Sequence, residues 1–116
     1  MNKSPLPFLN HILEEIDNIE KFTKGLTKEQ FVSNKLKQYA VVRSLEVIGE
    51  AVKNLPLSIR NENPKVPWKE IVGTRDKIVH HYFGISYELI WMVVKEELPK
   101  LKKQISKVIK DLKEER

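Results

Sequence analysis

Apolar positions recur at three- and four-residue steps over most of the chain, the spacing of helices that each bury one face. Leu9, Ile12, Leu13, Ile16, Ile19 and Phe22 mark a first helix, which starts after Ser4-Pro5 and stops at Gly25. Thr27-Lys28-Glu29-Gln30 has the form of a capping box with Thr27 as N-cap. It opens a helical stretch reaching Leu55, with Phe31, Leu36, Tyr39, Val42, Leu45, Ile48, Val52 and Leu55 as its apolar stripe. Ser33-Asn34 are weak helix formers and mark a candidate break. Gly49 lies well inside this stretch, where glycine costs about 1 kcal/mol relative to alanine. Close approach of another helix would account for it.

Residues 56–67 hold three prolines and the turn signal Asn61-Glu62-Asn63-Pro64, and read mostly as loop with room for one short helical turn. Pro67-Trp68 starts the next helix, which carries Trp68, Ile71, Val72, Ile78 and Val79 and closes before Gly84. Ser86 is the expected N-cap of a last helix with Leu89, Ile90, Val93, Leu98, Leu101, Ile105, Val108, Ile109 and Leu112 inside, interrupted and kinked at Pro99. No stretch shows strand alternation. The expected fold is all-α, an antiparallel four- or five-helix bundle forming a single domain over residues 1–116.

The chain is 32% charged with a net charge of +5, so an anionic partner fits, although lysine-rich helices often present only a solvated face. The C-terminal lysines, interleaved with acids, fall under that description. There is no cysteine, which excludes disulfides and thiolate metal sites. The N-terminal residues lack a signal-peptide core, and the longest apolar run, Leu89–Val94, is too short to span a bilayer. The expectation is a cytoplasmic protein with no membrane association, no metal and no cofactor.

Few groups remain to carry chemistry. His11 sits beside apolar positions of the first helix and reads as filler. The segment Gly73-Thr74-Arg75-Asp76-Lys77-Ile78-Val79-His80-His81-Tyr82-Phe83-Gly84 is different, with an arginine, four residues, a histidine, one residue and a tyrosine. A guanidinium is permanently charged and grips phosphate oxygens in a two-pronged geometry. An imidazole exchanges protons near neutral pH. Together they would suit cleavage of an RNA phosphodiester without a metal, although an isolated pair of this kind reads more simply as surface ion pairs of Arg75 and Asp76 and a His80 that satisfies a buried backbone carbonyl. Tyr82 by itself reads as half-buried packing at a helix end. Trp68 and Trp91 read as core or interface anchors. Arg43, Glu46 and Glu50 share one helix face, either as an intrahelical charge network or as a border of the cleft that positions Arg75.

The R-x4-H-x-Y pattern resembles that of HEPN-domain ribonuclease toxins of the HepT type, partners of minimal nucleotidyltransferase antitoxins. The resemblance extends over Arg43–Ala51, Val66–Gly73 and Leu98-Pro99, and so covers nearly the whole chain. It implies a HEPN-like bundle acting as a metal-independent endoribonuclease on tRNA or mRNA, with Arg75 and His80 catalytic and Asp76 orienting one of them. It further implies a homodimer with a composite active site, and neutralisation by AMP transfer to Tyr82 from the antitoxin. One geometric difficulty stands. Five residues of ideal helix leave Arg75 and His80 roughly 140° apart around the axis. They converge only if the helix loosens near His80 or a second subunit contributes. Two other functions fit the same residues: a non-catalytic HEPN module binding nucleotide or RNA, and a structural partner of the nucleotidyltransferase.

Overall fold

In the computed structural model, which describes residues 4–80 and 84–115, the chain is helical, with no strand among the described residues. In chain order the helices are α1 (Leu6–Thr23), α2 (Lys28–Val32), α3 (Lys35–Lys53), α4 (Leu57–Glu62), α5 (Trp68–His80) and α6 (Tyr87–Met92). A five-residue π turn, Val93–Glu97, then leads into α7 (Leu98–Glu114). This is the expected all-α bundle. Four long helical columns (α1, α3, α5 and the continuous α6–π–α7) are supplemented by the short α2 and α4.

The punctuation follows local chemistry. Gly25 takes φ of 77°, the left-handed conformation that stops α1. The capping box forms: the Gln30 backbone N–H donates to Thr27 Oγ1 at 3.1 Å, and the Thr27 N–H donates to Gln30 Oε1 at 2.9 Å. The break falls at Ser33-Asn34, where Asn34 caps α3 by accepting from the Lys37 N–H at 3.0 Å. Buried Gln38 then donates to the Phe31 and Val32 carbonyls at the end of α2, at 3.0 and 2.7 Å, and so ties the two helices across the break. The segment between α3 and α5 contains more helix than its prolines indicate, since Leu57–Glu62 closes into α4.

Pro99 shapes the last column. It brings no N–H to the ladder, and the preceding turn responds by widening, so that the Leu98 N–H bonds five residues back to the Val93 carbonyl. The interruption expected at Pro99 therefore takes the form of a π turn immediately before it.

Leu9, Ile12, Ile16 and Ile19 of α1 are fully buried, and α1 packs on α3 and α7. Each such side chain contributes roughly 1.5–3 kcal/mol by leaving water. Phe31 is also fully buried and stacks obliquely on Trp91, with ring centroids 5.4 Å apart. Trp68 is buried and its indole N–H donates to the Asn63 carbonyl at 2.9 Å, the anchoring role expected of it. Lys102 of α7 bridges Asp17 and Glu20 of α1 at 3.2 and 3.1 Å. Four apolar positions read as inward-facing lie outside the core: Leu36, Tyr39, Val79 and Leu89 are exposed. No described helix is long and apolar enough to cross a membrane.

Candidate active site around Arg75

Gly49 is where the site begins. It is buried on α3, and Arg75 of α5 packs directly against its Cα. A methyl group there would overlap Arg75 Cβ and lie 2.6 Å from Cγ. The close approach expected from a glycine inside a helix is thus made by the helix that carries the motif arginine, and by the arginine itself.

Pressed into this notch, the Arg75 side chain is only 20% exposed and its two terminal nitrogens are both taken. Nη2 contacts the Glu50 carboxylate of α3 at 2.8 Å, and Nη1 donates to Asp76 Oδ1 at 2.9 Å. Nε is buried without a partner among the described residues. Lys53, one helical turn beyond Gly49, lies 3.9 Å from Asp76. The result is an alternating cluster of two cations and two carboxylates spanning α3 and α5. The Asp76 hydrogen bond raises the Arg75 pKa above its ordinary value, with Glu50 adding to the effect against partial desolvation. The guanidinium is held both in charge and in place.

Asp76 is depressed below the usual carboxylate range, first by the Arg75 hydrogen bond and then by the charges of Lys53, Arg75 and His80. His80 acts on it from one turn further along α5, since positions four apart share a helix face. A group whose pKa falls on folding stabilises the fold above its ordinary value and loses that contribution as pH drops through the depressed one. The Tm difference between the parent chain and Asp76→Asn is therefore expected to persist at neutral pH and to close below about pH 4. Thermal melts across that range check the sign, and a difference that widened in acid would contradict the pairing.

The helix does not loosen before His80. α5 is regular through His80, so Arg75 faces α3 while His80 is exposed at the helix end. Arg75 is bonded to Asp76, and His80 lies one turn beyond Asp76 on the same helix. His81 and Tyr82 lie outside the described residues.

Of the polar face read from α3, Arg43 stays in an intrahelical pair with Glu46 at 3.6 Å, while Glu50 crosses to Arg75. The charge-network and cleft-border readings thus each describe part of that face. Lys53 was not among the residues singled out from sequence. Its spacing of three from Glu50 is the one signal that could have drawn attention to it. Among the described residues, no three histidine, aspartate or glutamate side chains gather as a metal site.

Comparison with known proteins gives the class to which this helical bundle belongs. The family model described as "Ribonuclease HepT-like" matches residues 12–108, and the chain belongs to this HepT-like ribonuclease family. "Putative RNase TTE0752" of Caldanaerobacter subterraneus subsp. tengcongensis is 49% identical over 107 residues, covering 92% of this chain and 96% of the relative. "Putative RNase MJ1216" of Methanocaldococcus jannaschii is 51% identical over 105 residues, or 90% and 87% of the two chains. "Probable ribonuclease HepT" of Thermococcus cleftensis is 42% identical over 110 residues, covering 95% of this chain and all of the relative. No solved structure gives a significant match.

Proposed function

We propose that the chain is the toxin of a toxin–antitoxin pair, a cytoplasmic endoribonuclease that cleaves tRNA or mRNA without a metal ion. The observation that carries this reading is the arrangement on α5, which fixes the Arg75 guanidinium against Asp76 and presents an exposed His80 one turn further along. In the reaction, the ribose 2′-oxygen attacks the adjacent phosphorus as its proton is removed. The bond from phosphorus to the 5′-oxygen breaks, and that oxygen takes up a proton. The products are a 2′,3′-cyclic phosphate and a 5′-hydroxyl. Arg75 stabilises the negative charge that builds on the non-bridging oxygens, and His80 moves one of the two protons. A second copy of the chain, facing the first, brings another imidazole to the same phosphate, which answers the angular separation of Arg75 and His80 on one helix.

Regulation falls to Tyr82, two residues beyond His80. AMP transferred from ATP to its hydroxyl by a nucleotidyltransferase antitoxin, with pyrophosphate leaving, would add a phosphate and a base two residues from His80 that compete with RNA. Incubating the purified chain with total RNA and excess chelator is expected to yield fragments ending in cyclic phosphate, while protein homogeneously modified at Tyr82 is expected to be inert. Intact RNA under every ionic condition would dismiss the nuclease. Undiminished cleavage by the modified protein would dismiss the control mechanism alone.

A further inference from the structure

Arg75 is already paired with Glu50 and Asp76, so the attraction that draws a polyanion to it must come from other cations. Three stand further back along the bundle. Between α4 and the start of α5 lies an open hollow of about 620 Å³, lined by Arg60, Lys65 and Lys69 and walled by Trp68 and Val72. None of the three cations makes an ion pair among the described residues. One carboxylate, Glu70, shares the lining. The lysines of α7 differ, because acids are interleaved with them.

Hydrogen bonds fix the shape of the hollow. The Trp68 indole N–H donates to the Asn63 carbonyl at 2.9 Å, and the Asn63 side-chain amide donates to the Ile59 carbonyl at 2.8 Å. Gln104 of α7 donates to the Lys65 carbonyl at 3.1 Å, beside buried Val66. The turn that carries the cations is thus tied to α4, α5 and α7.

The hollow communicates with the motif. Lys69, Gly73, Asp76 and His80 follow at steps of four, three and four, so they share one side of α5. Along the axis, Lys69 lies about 10 Å from Asp76 and about 16 Å from His80. Midway stands Gly73, partly exposed. Glycine weakens a helix. At Gly49 that cost answers to Arg75, but a Cβ on Gly73 would meet nothing within 4 Å. No packing among the described residues requires this glycine. What a bare Cα gives is close approach of a ligand to the helix backbone.

We propose that this side of α5 is the track of the bound RNA strand, with Arg60, Lys65 and Lys69 holding phosphates a few linkages from the scissile one while the strand passes over Gly73. Unpaired cations around an open hollow supply the counterion release that drives nucleic-acid binding. A second copy is a poor occupant, since it carries the same net charge of +5 and a symmetric contact here would set like charges together. The inference rests on the ribonuclease reading of Arg75 and His80, which brings a strand to that end of α5.

The test measures binding apart from cleavage. The full chain carrying His80→Ala is titrated with a fluorescent single-stranded RNA of about ten nucleotides, a length within single-strand site sizes. Adding Lys65→Ala with Lys69→Ala is expected to weaken binding about tenfold near physiological salt. The slope of log affinity against log salt is expected to flatten by about 1.4, at about 0.7 for each phosphate contact. Removing the exposed α7 lysines instead, as Lys100→Ala with Lys103→Ala, costs the same net charge and is expected to leave that slope unchanged. Gly73→Ala is expected to raise Tm by a few degrees while weakening RNA binding, a combination that a merely structural role would not produce. Melting curves verify that the lysine variants keep the fold. Parental affinity in both the Lys65/Lys69 and Gly73→Ala chains, with the His80-bearing protein still cleaving RNA, overturns the track and spares the ribonuclease reading. An equal loss on removing the α7 lysines reduces the effect to net charge and also overturns it. Selective loss through Lys65, Lys69 and Gly73 in a protein that never cleaves upholds the track and overturns the nuclease. Unchanged RNA affinity with a lower sedimenting mass in the Lys65/Lys69 chain assigns the hollow to contact between copies and overturns the proposal.

Discussion

RNA cleavage by the His80→Ala and Arg75→Ala chains is expected to fall at least about a hundredfold, the scale on which enzymes lose a positioned acid–base or charge-stabilising group. The two variants fail for different reasons, and their stabilities separate them. His80 is exposed at the end of α5, so under the proposed mechanism its removal takes away proton transfer and leaves packing untouched, with an unchanged melting curve. Arg75 sits in the notch at Gly49 between two carboxylates. Its loss removes the charge proposed to face the phosphate and also leaves Glu50 and Asp76 without their common cation, so the melting temperature falls along with the rate. Arg75→Lys is not a mild change here. An ammonium is a point charge without the planar fork that serves Glu50, Asp76 and a phosphate from one plane. Gel assays of a defined RNA beside thermal melts check both parts. Full activity in both alanine chains would remove the enzymatic reading.

Much of this was legible because local chemistry and tertiary structure agree at the positions concerned. Thr27 and Gln30 announce a helix start that forms by its own hydrogen bonds, and Asn34 restarts a helix where Ser33-Asn34 weakens it. Gly49 carries longer-range information, because a glycine that costs stability inside a helix marks a contact made by some other element. What sequence could not supply was the partner, and it is the motif arginine. Periodicity misled at Leu36, Tyr39, Val79 and Leu89. They keep the helical spacing of the core residues but stand where no other described helix covers them. A period defines a face, while burial depends on whether something packs there. The spacing of Arg75, Asp76 and His80 was readable, as was the helix face holding Glu50. Lys53 escaped notice because its pairing with Asp76 joins two helices across more than twenty positions of sequence.

The same contact yields the most demanding stability prediction. Gly49→Ala would ordinarily help a helix by about 1 kcal/mol. Here the new methyl overlaps Arg75 Cβ and sits 2.6 Å from Cγ, atoms too close to the α5 backbone to swing aside. Either α3 and α5 separate or Arg75 leaves its carboxylates. Overpacking of this kind typically costs about 1–3 kcal/mol, and the steep overlap places this site at the upper end, enough to outweigh the propensity gain. The expected result is a fall in Tm of about 5–10 °C, by the entropy of unfolding of a domain this size, together with loss of RNA cleavage. Coupling identifies the cause. In an Arg75→Gly background the obstructing Cβ is gone, so Gly49→Ala should cease to destabilise and instead raise Tm slightly, a strong non-additivity between residues in contact. If Gly49→Ala lowers Tm equally in both backgrounds, the glycine is answering to something other than Arg75. The notch would then no longer explain how a helix-borne guanidinium is held still enough to serve a phosphate.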